Sequence, residues 1–193
     1  MSYDPRRVFR KLARNNRLAN LRLHAACGRL SPAEFVAARN GFFPTICATL
    51  KHIYLVDLFY IDALKGGTRG PDIFAHGDPF ADMSALQKAQ SQLDDDLIAF
   101  VDTCTDIDLE ADVRVHRAER VQQDRCDDIL SHLFQHQTHH RGQVHAMLSG
   151  SSVKPPQLDE FIVGDDAGVR KTELDALGWS ERDLMFPEAK AYD

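Results

Sequence analysis

One stretch indicates both the fold and the chemistry of this chain: Ser131-His132-Leu133-Phe134-Gln135-His136-Gln137-Thr138-His139-His140-Arg141-Gly142-Gln143. It holds four of the nine histidines. On a helix, His136 and His140 stand about 40° apart around the axis and about 6 Å apart along it. Two imidazoles in this arrangement can hold one metal ion, as H-x-x-x-H pairs do in helical zinc sites.

The histidine pair falls on the apolar face of the predicted helix. At about 100° per residue, the pair shares an arc of roughly 80° with four apolar side chains. These are Ile129, Leu133, Val144 and Met147. His132 and His139 fall roughly 60–80° to one side, so we expect neither to be a ligand. Two interpretations remain open, a metal site or a pair of hydrogen-bonded core histidines, because a buried imidazole needs a partner.

The remaining chain is typical of an all-α four-helix bundle. Hydrophobic periodicity and stop signals predict long helices over residues 4–27, 44–65, 82–103 and 124–149. Ser31 and Glu34 form a capping-box pattern, which predicts a short extra helix. Alternating valines within 109–122 predict a short, polar β-hairpin before the last bundle helix. A short C-terminal helix is predicted over residues 171–177.

Composition limits the class of protein. A chain of 193 residues with 44% hydrophobic and 27% charged residues fits a single domain, residues 1–193. The net charge of −6 argues against a nucleic-acid partner. No apolar run approaches the ~20 residues of a membrane span, and the first residues do not resemble a signal peptide. We therefore expect a cytoplasmic protein with no membrane partner. Four scattered cysteines are expected to be reduced and packed as small apolar groups: Cys27, Cys47, Cys104 and Cys126.

Charged residues cluster on two of the predicted helices. The first helix has a basic face, which we expect to be solvated and paired with carboxylates. That face comprises Arg6, Arg7, Arg10, Lys11, Arg14 and Arg17. Three successive acids on a helix point in three directions, so Asp94, Asp95 and Asp96 are expected to be a solvated stretch.

The histidine stretch resembles a motif of a known family. Residues 133–144 resemble the last-helix signature of the DinB family, in the wider DinB/YfiT-like metalloenzyme superfamily, which is unrelated to the DNA polymerase of the same name. Residues 49–57 resemble the second-helix segment, whose histidine is the remaining ligand. The resemblance thus implies a metal site of His52, His136 and His140. Four departures leave these presumed ligands intact: Asn15, Leu18, Lys51 and Gln135.

A third match involves the first helix. Residues 16–23 resemble the Asn-x-x-x-Asn pattern of the family. Asn16 and Asn20 fall on the apolar side of the helix, and we expect them to make hydrogen bonds that pack helices together rather than to take part in catalysis.

Three neutral imidazoles leave a divalent ion with positions open to water or substrate, the pattern of a catalytic site. Zn²⁺ is expected first, and Ni²⁺, Mn²⁺ and Fe²⁺ also suit imidazole. Asp57, His139 and Gln143 are candidates for hydrogen bonds around the ligands. For Asp57, the interpretation as a surface or interface acid is preferred to that of a buried acid beside a ligand. Arg141 points away from His140, and we expect it to join helices by a salt bridge.

Two classes of function remain open. The resemblance implies a thiol S-transferase that uses a low-molecular-weight thiol and an electrophilic small molecule, with metal-dependent hydrolysis as the competing reaction. The alternative is a non-catalytic metal-binding dimer for stress response or sensing. Residues 53–61 are apolar or aromatic apart from Asp57, which predicts a homodimer interface on the second helix. Otherwise the 66–80 loop or the C-terminal segment should cover that surface.

Overall fold

The four predicted long helices form the bundle. The computed structural model describes residues 4–75, 80 and 82–187. The long helices are α1 (Arg6–Cys27), α3 (Ile46–Leu64), α5 (Met83–Thr103) and α7 (Cys126–Leu148). The short ones are α2 (Pro32–Phe35), α4 (Asp72–Ala75), α6 (Asp106–Glu110), α8 (Lys171–Leu177) and α9 (Glu181–Met185), with a 3-10 helix at Gly164–Val169. Helix α1 packs chiefly against α5, and α3 packs chiefly against α7.

Local signals explain where the long helices begin and end. Thr45 caps α3, since its hydroxyl accepts a hydrogen bond of 2.9 Å from the backbone N–H of Ala48. Asp82 caps α5 in the same way, accepting from the backbone N–H of Ala85 at 2.8 Å. After α3, Gly66 adopts a φ of 78°, a left-handed conformation that glycine tolerates without strain.

The predicted hairpin is present, and its first strand covers part of α3. Strands β1 (Asp112–His116) and β2 (Val121–Arg125) pair antiparallel. The register places Asp112 opposite Arg125 and His116 opposite Val121. Val113 and Val115 are buried, and β1 packs against α3. The prediction of a polar hairpin was therefore wrong for the inner face of β1.

The basic face of α1 is not solvated along its length, which corrects the prediction. Arg10, Arg14 and Arg17 are buried. Arg14 makes a two-pronged pair with Asp102 of α5, with both N–O distances at 2.8 Å. Arg17 donates to Asp95 at 3.1 Å. The predicted pairing with carboxylates is thus confirmed, but it takes place between two packed helices.

Seven polar side chains from all four bundle helices meet in the core, and we call them the buried polar layer. Each is at most 5% exposed: Asn16, Asn20, Asp57, Gln90, Asp94, Gln137 and Arg141. Asp94 accepts hydrogen bonds from Asn16 at 3.1 Å and from Asn20 at 3.0 Å. The helix-packing role predicted for both asparagines is confirmed, whereas Asp94 is buried rather than solvated.

Arg141 also belongs to the buried polar layer. It donates to the side-chain oxygens of Asn16, Asn20 and Gln137. Arg141 was predicted to make a salt bridge, and among the described residues it bonds to amide oxygens instead. Its positive charge still attracts the carboxylates of Asp94 and Asp57 through the core.

The segment 157–185, which we call the C-terminal clamp, packs against α1. Its apolar side chains Phe161, Leu174 and Leu184 form one cluster with Leu18 and Ala19. Arg22 of α1 pairs with Glu160 and with Glu173, each at 2.7 Å. The predicted helix at residues 171–177 is confirmed as α8, but α9 and the 3-10 helix were not predicted.

Most of the apolar surface of α3 is covered within the chain. The ring of Phe74, next to Ile73 in α4, lies 5.5 Å from the ring of Phe59. Leu55 and Leu58 remain half-buried. His76, which the polar composition of the 66–80 segment predicts to be solvated, lies outside the described residues. Among the helices described, none combines the length and apolarity needed to cross a bilayer.

Candidate metal centre

Three histidines converge where α3 packs against α7. The Nε2 atoms of His52 and His136 are 3.0 Å apart. One ring nitrogen each from His52, His136 and His140 lie within 4.8 Å of one another. The His132 ring, by contrast, is centred 6.2 Å from that of His136. Within the described chain, the histidines that come together are therefore the three named from the sequence, and neither His132 nor His139 is among them.

The spacing of the nitrogens fits a shared ion. Two nitrogens about 2.0–2.1 Å from one zinc ion stand roughly 2.8–3.4 Å apart for bond angles between a right angle and a tetrahedral one. The separation of 3.0 Å between His52 and His136 falls in that range. A direct hydrogen bond would account equally well for this one pair. That hydrogen bond would not explain why a ring nitrogen of His140 lies close to the same two nitrogens, because two facing nitrogens share only one proton.

Gln143 fixes the orientation of His140. The Nδ1–H of His140 donates to Gln143 Oε1 at 2.7 Å, which leaves the lone pair on Nε2. The amide nitrogen of Gln143 lies 3.1 Å from Nε2 of the exposed His139. Both candidates from the same helix therefore contact His140: Gln143 does so by a hydrogen bond, and His139 by its ring, whose centre lies 4.8 Å from that of His140.

Asp57, the third candidate for a hydrogen bond to a ligand, is placed elsewhere. It is 1% exposed, so it is not a surface acid. Its Oδ2 accepts from Gln90 at 2.7 Å, and its other oxygen has no hydrogen-bond partner among the described residues. Burial, together with the nearby charge of Asp94, raises the pKa of Asp57 well above its usual value. The acid therefore belongs to the buried polar layer rather than to the histidine cluster.

The environment keeps the three imidazoles neutral. Burial, followed by repulsion from His140, lowers the pKa of His52 to about 4. The same causes, with further repulsion from the neighbouring histidines, lower the pKa of His136 to about 3. Burial also lowers the pKa of His140. Neutral imidazole is the form that binds a cation, so at neutral pH the rings do not first have to lose the extra proton of the imidazolium form.

Phe43, which the sequence reasoning missed, covers one side of the cluster. Its ring centre lies 4.3 Å from that of His52 and 5.7 Å from that of His140. A Cβ atom at Gly41 would come within 2.8 Å of Met147 Cε, so glycine allows the loop to approach α7. The aromatic pair just before the predicted start of α3 was the available signal, but a loop ring cannot be placed by helical periodicity.

One side of the cluster reaches the surface. His140 is buried, as its place on the apolar face of α7 predicted, whereas His52 and His136 are only half-buried. A pocket of about 330 Å³ includes Gln143 in its lining, and another of about 420 Å³ includes Lys51. The three histidines line neither of these two pockets, so a ligand would reach them at the partly exposed edges of His52 and His136.

One comparison with known proteins bears on this arrangement. A family model described as the DinB family matches residues 2–169. That span includes all four bundle helices and the three clustered histidines. No curated protein matches the chain.

Proposed function

Because the chain belongs to the DinB family, we propose that His52, His136 and His140 bind one divalent metal ion. The observation that carries the proposal is the convergence of three ring nitrogens within 4.8 Å. Zn²⁺ is the expected ion, with Ni²⁺, Mn²⁺ and Fe²⁺ as alternatives, since imidazole suits all four. Three protein ligands leave at least one position for water or substrate, as in catalytic sites.

The chemistry we propose is the transfer of a low-molecular-weight thiol to an electrophilic small molecule. When bound, the ion supplies Lewis acidity, which favours the deprotonated form of a thiol or of water. The thiol sulfur then forms a bond to the electrophilic carbon, the leaving group departs with its bonding electron pair, and the thiol proton passes to solvent. In this scheme Gln143 orients His140, and Phe43 excludes water from one side.

Hydrolysis is the competing reaction, and it would use the same open side of the cluster for water. The alternative without turnover is a metal-binding stress-response or sensor dimer, in which the metal should be enclosed. The partial exposure of His52 and His136 favours the catalytic alternative, because a ligand can approach their rings from the surface.

The test begins with the metal content of protein purified without a histidine tag. We expect about one divalent ion per chain by elemental analysis, and none in the His136→Ala variant. The loaded protein is then assayed for thiol transfer with several thiols and a chromogenic electrophile, and for ester hydrolysis without thiol. Metal retention by His136→Ala would refute the ligand assignment. Full loading without either reaction would favour the sensor alternative.

We also propose that the protein forms a homodimer through the half-buried apolar strip of α3 around Tyr54, Leu55 and Leu58. Much of the apolar surplus that motivated this proposal is covered by α4 and β1, so the expected interface is small. Sedimentation equilibrium at micromolar concentration tests it. A single species near 21.7 kDa would rule out the dimer, and Leu58→Lys should dissociate it if it exists.

A further inference from the structure

We propose that Arg117 binds the carboxylate group of a ligand that reaches the three-histidine cluster. Arg117 follows β1, at the turn between the two strands, and is half-buried. The inference rests on the proposed function, since it assigns a chemical class to the thiol substrate: a thiol that carries a carboxylate at a distance from its sulfur.

The guanidinium of Arg117 is held in place by neutral groups. It lies over the rings of Phe59 and Tyr60, with Cζ 4.8 Å and 5.8 Å from the two ring centres. Its Nε donates to Gln122 Oε1 at 2.9 Å, and its Nη2 donates to Tyr60 Oη at 3.2 Å. The side chain is therefore fixed before any ligand arrives, which reduces the entropy that binding must cost.

Most of the hydrogen-bonding capacity of Arg117 is unused. No carboxylate among the described residues pairs with it, in contrast to the paired Arg14, Arg22 and Arg170. Arginine has five N–H donors, and two of them are engaged. The free donors include both on Nη1 and one on Nη2, which form the edge that receives a planar carboxylate with two parallel hydrogen bonds.

A chain of ring contacts links Arg117 to the histidine cluster. Tyr60, which accepts from Arg117, has its ring centred 5.2 Å from that of His132. The His132 ring lies in turn 6.2 Å from that of His136. His132 is exposed, and Arg117 and His136 are half-buried, so this chain of contacts reaches the surface at both ends. A ligand lying along that surface would have its reactive end at the cluster and its carboxylate at Arg117.

Because the chain as a whole is negatively charged, we expect Arg117 to bind a matching anion selectively rather than to attract anions in general. The chain carries a net charge of −6, which opposes the approach of anions to the surface as a whole. Binding of an anion at Arg117 therefore depends on direct hydrogen bonds. The flat edge of the guanidinium matches a carboxylate, and inorganic phosphate serves as the competing anion in the test.

The experiment compares two probes of equal length, a thiol-terminated hexanoic acid and its uncharged amide, by titration calorimetry on zinc-loaded protein. Wild type is compared with Arg117→Gln, with Arg117→Lys, and with the control Arg114→Gln, which removes the same charge from an exposed position on the same hairpin. We expect wild type to bind the acid about tenfold or more tightly than the amide, the size of a charged hydrogen bond.

The expected pattern is loss of that preference in Arg117→Gln, partial loss in Arg117→Lys, and retention in Arg114→Gln. An equal loss in both glutamine variants would mean general electrostatics and would overturn the proposal. An unchanged preference in Arg117→Gln, or competition by phosphate stronger than by hexanoate, would also overturn it.

A second measurement separates this inference from the proposed function. Hexanoate, which lacks the thiol, is added to metal-free protein while the Nε–H resonance of Arg117 is followed by NMR. A saturable shift of that resonance supports the carboxylate site even if no thiol binds the loaded protein, an outcome that would refute only the thiol chemistry. No shift with hexanoate, in protein that binds zinc and thiols normally, would refute only the role of Arg117.

Discussion

The histidine cluster and the buried polar layer draw on neighbouring residues of the same helix but use their polar atoms in opposite ways. His136 and His140 alternate along α7 with Gln137 and Arg141. In the layer, Arg141 donates to three amide oxygens from two helices, and Asp94 accepts from both α1 and α5. In the cluster, His52 and His136 face each other at 3.0 Å, and His140 has one fixed partner, Gln143.

The difference indicates a division of roles. The layer satisfies most of its polar atoms from within the chain, and it joins all four helices at one level. In the cluster, the ring nitrogens that face one another remain available to a ligand. The cluster can leave them so because the adjacent layer fixes the position of α7. A layer that specifies packing and a cluster that leaves ligand atoms free should therefore respond differently to mutation, metal and pH.

The largest expected effect is the loss of stability caused by Arg141→Met. This change removes the donor for three buried amide oxygens, and it removes one of two arginines whose charge favours ionised Asp94, Arg17 being the other. Each buried acceptor left unsatisfied typically costs about 1–3 kcal/mol of unfolding free energy. Urea denaturation of the metal-free protein measures the total loss. Adding Asp94→Asn should restore part of it, because the charge that Arg141 helped to compensate is then removed. A loss below about 1 kcal/mol would mean that Arg141 does not hold the layer together.

The second effect is on metal affinity. Outer hydrogen-bond partners already contribute about 10–100-fold to metal affinity, so loss of a ligand should exceed that range. We expect His136→Ala to reduce zinc affinity accordingly, measured by competition with a chromogenic chelator, with little change in the stability of the metal-free protein. The control is His132→Ala, one turn away on α7. If both variants lose zinc equally, the cluster is not the binding site.

A smaller loss is expected from Gln143→Met. This substitution removes the acceptor for His140 Nδ1–H, so the ring loses its preferred orientation, and zinc affinity should fall about tenfold. The matched control is Gln135→Met, because Gln135 is exposed on the same helix. The same chelator competition applies, and an unchanged affinity for Gln143→Met would show that His140 is oriented by packing alone.

The smallest expected effect is the pH dependence of stability, which has opposite signs for the histidine cluster and the buried polar layer. His136 has a folded pKa of about 3 against an ordinary value of 6.5, so unfolded chains bind its proton first as pH falls. Its contribution to stability is therefore lost below about pH 6.5. Burial raises the pKa of Asp94 from 3.8 to about 6, so acidification protonates the folded protein first and contributes stability between those values.

Urea midpoints of the metal-free protein at pH 7 and pH 5 measure this difference. Relative to wild type, His136→Gln should lose less stability on acidification, and Asp94→Asn should lose more. Equal losses in the two variants would contradict the opposite signs assigned to the cluster and the layer.

The features predicted correctly from the sequence are those that depend on the periodicity of a single helix or strand. The four long helices, the hairpin and the short helix α8 followed from apolar spacing and stop signals, and the three histidines came from one spacing together with a family resemblance. The positions of Asn16 and Asn20 on the inner side of α1 were also read correctly, because a single helix defines its own faces.

The features that the sequence could not give depend on which helices become neighbours. Arg14 and Asp102 are 88 positions apart, and only the packing of α1 against α5 shows that one neutralises the other in the core. Asp57 was named as a candidate partner of a ligand histidine, but it is buried against Gln90, which lies on a different helix. Phe43 lies in a loop, where neither helical nor strand periodicity specifies the direction of a side chain.

The C-terminal clamp has a consequence for the order of folding during synthesis. Arg22 is bound by Glu160 and Glu173, which follow it by 138 and 151 positions. Until those residues leave the ribosome, Leu18, Ala19 and the guanidinium of Arg22 lack the surface that covers them. At about 5–20 residues per second, α1 must wait many seconds for this cover. We therefore expect the nascent bundle to need protection of its first helix, by a chaperone or by the ribosome surface, until residues 157–185 have been synthesised.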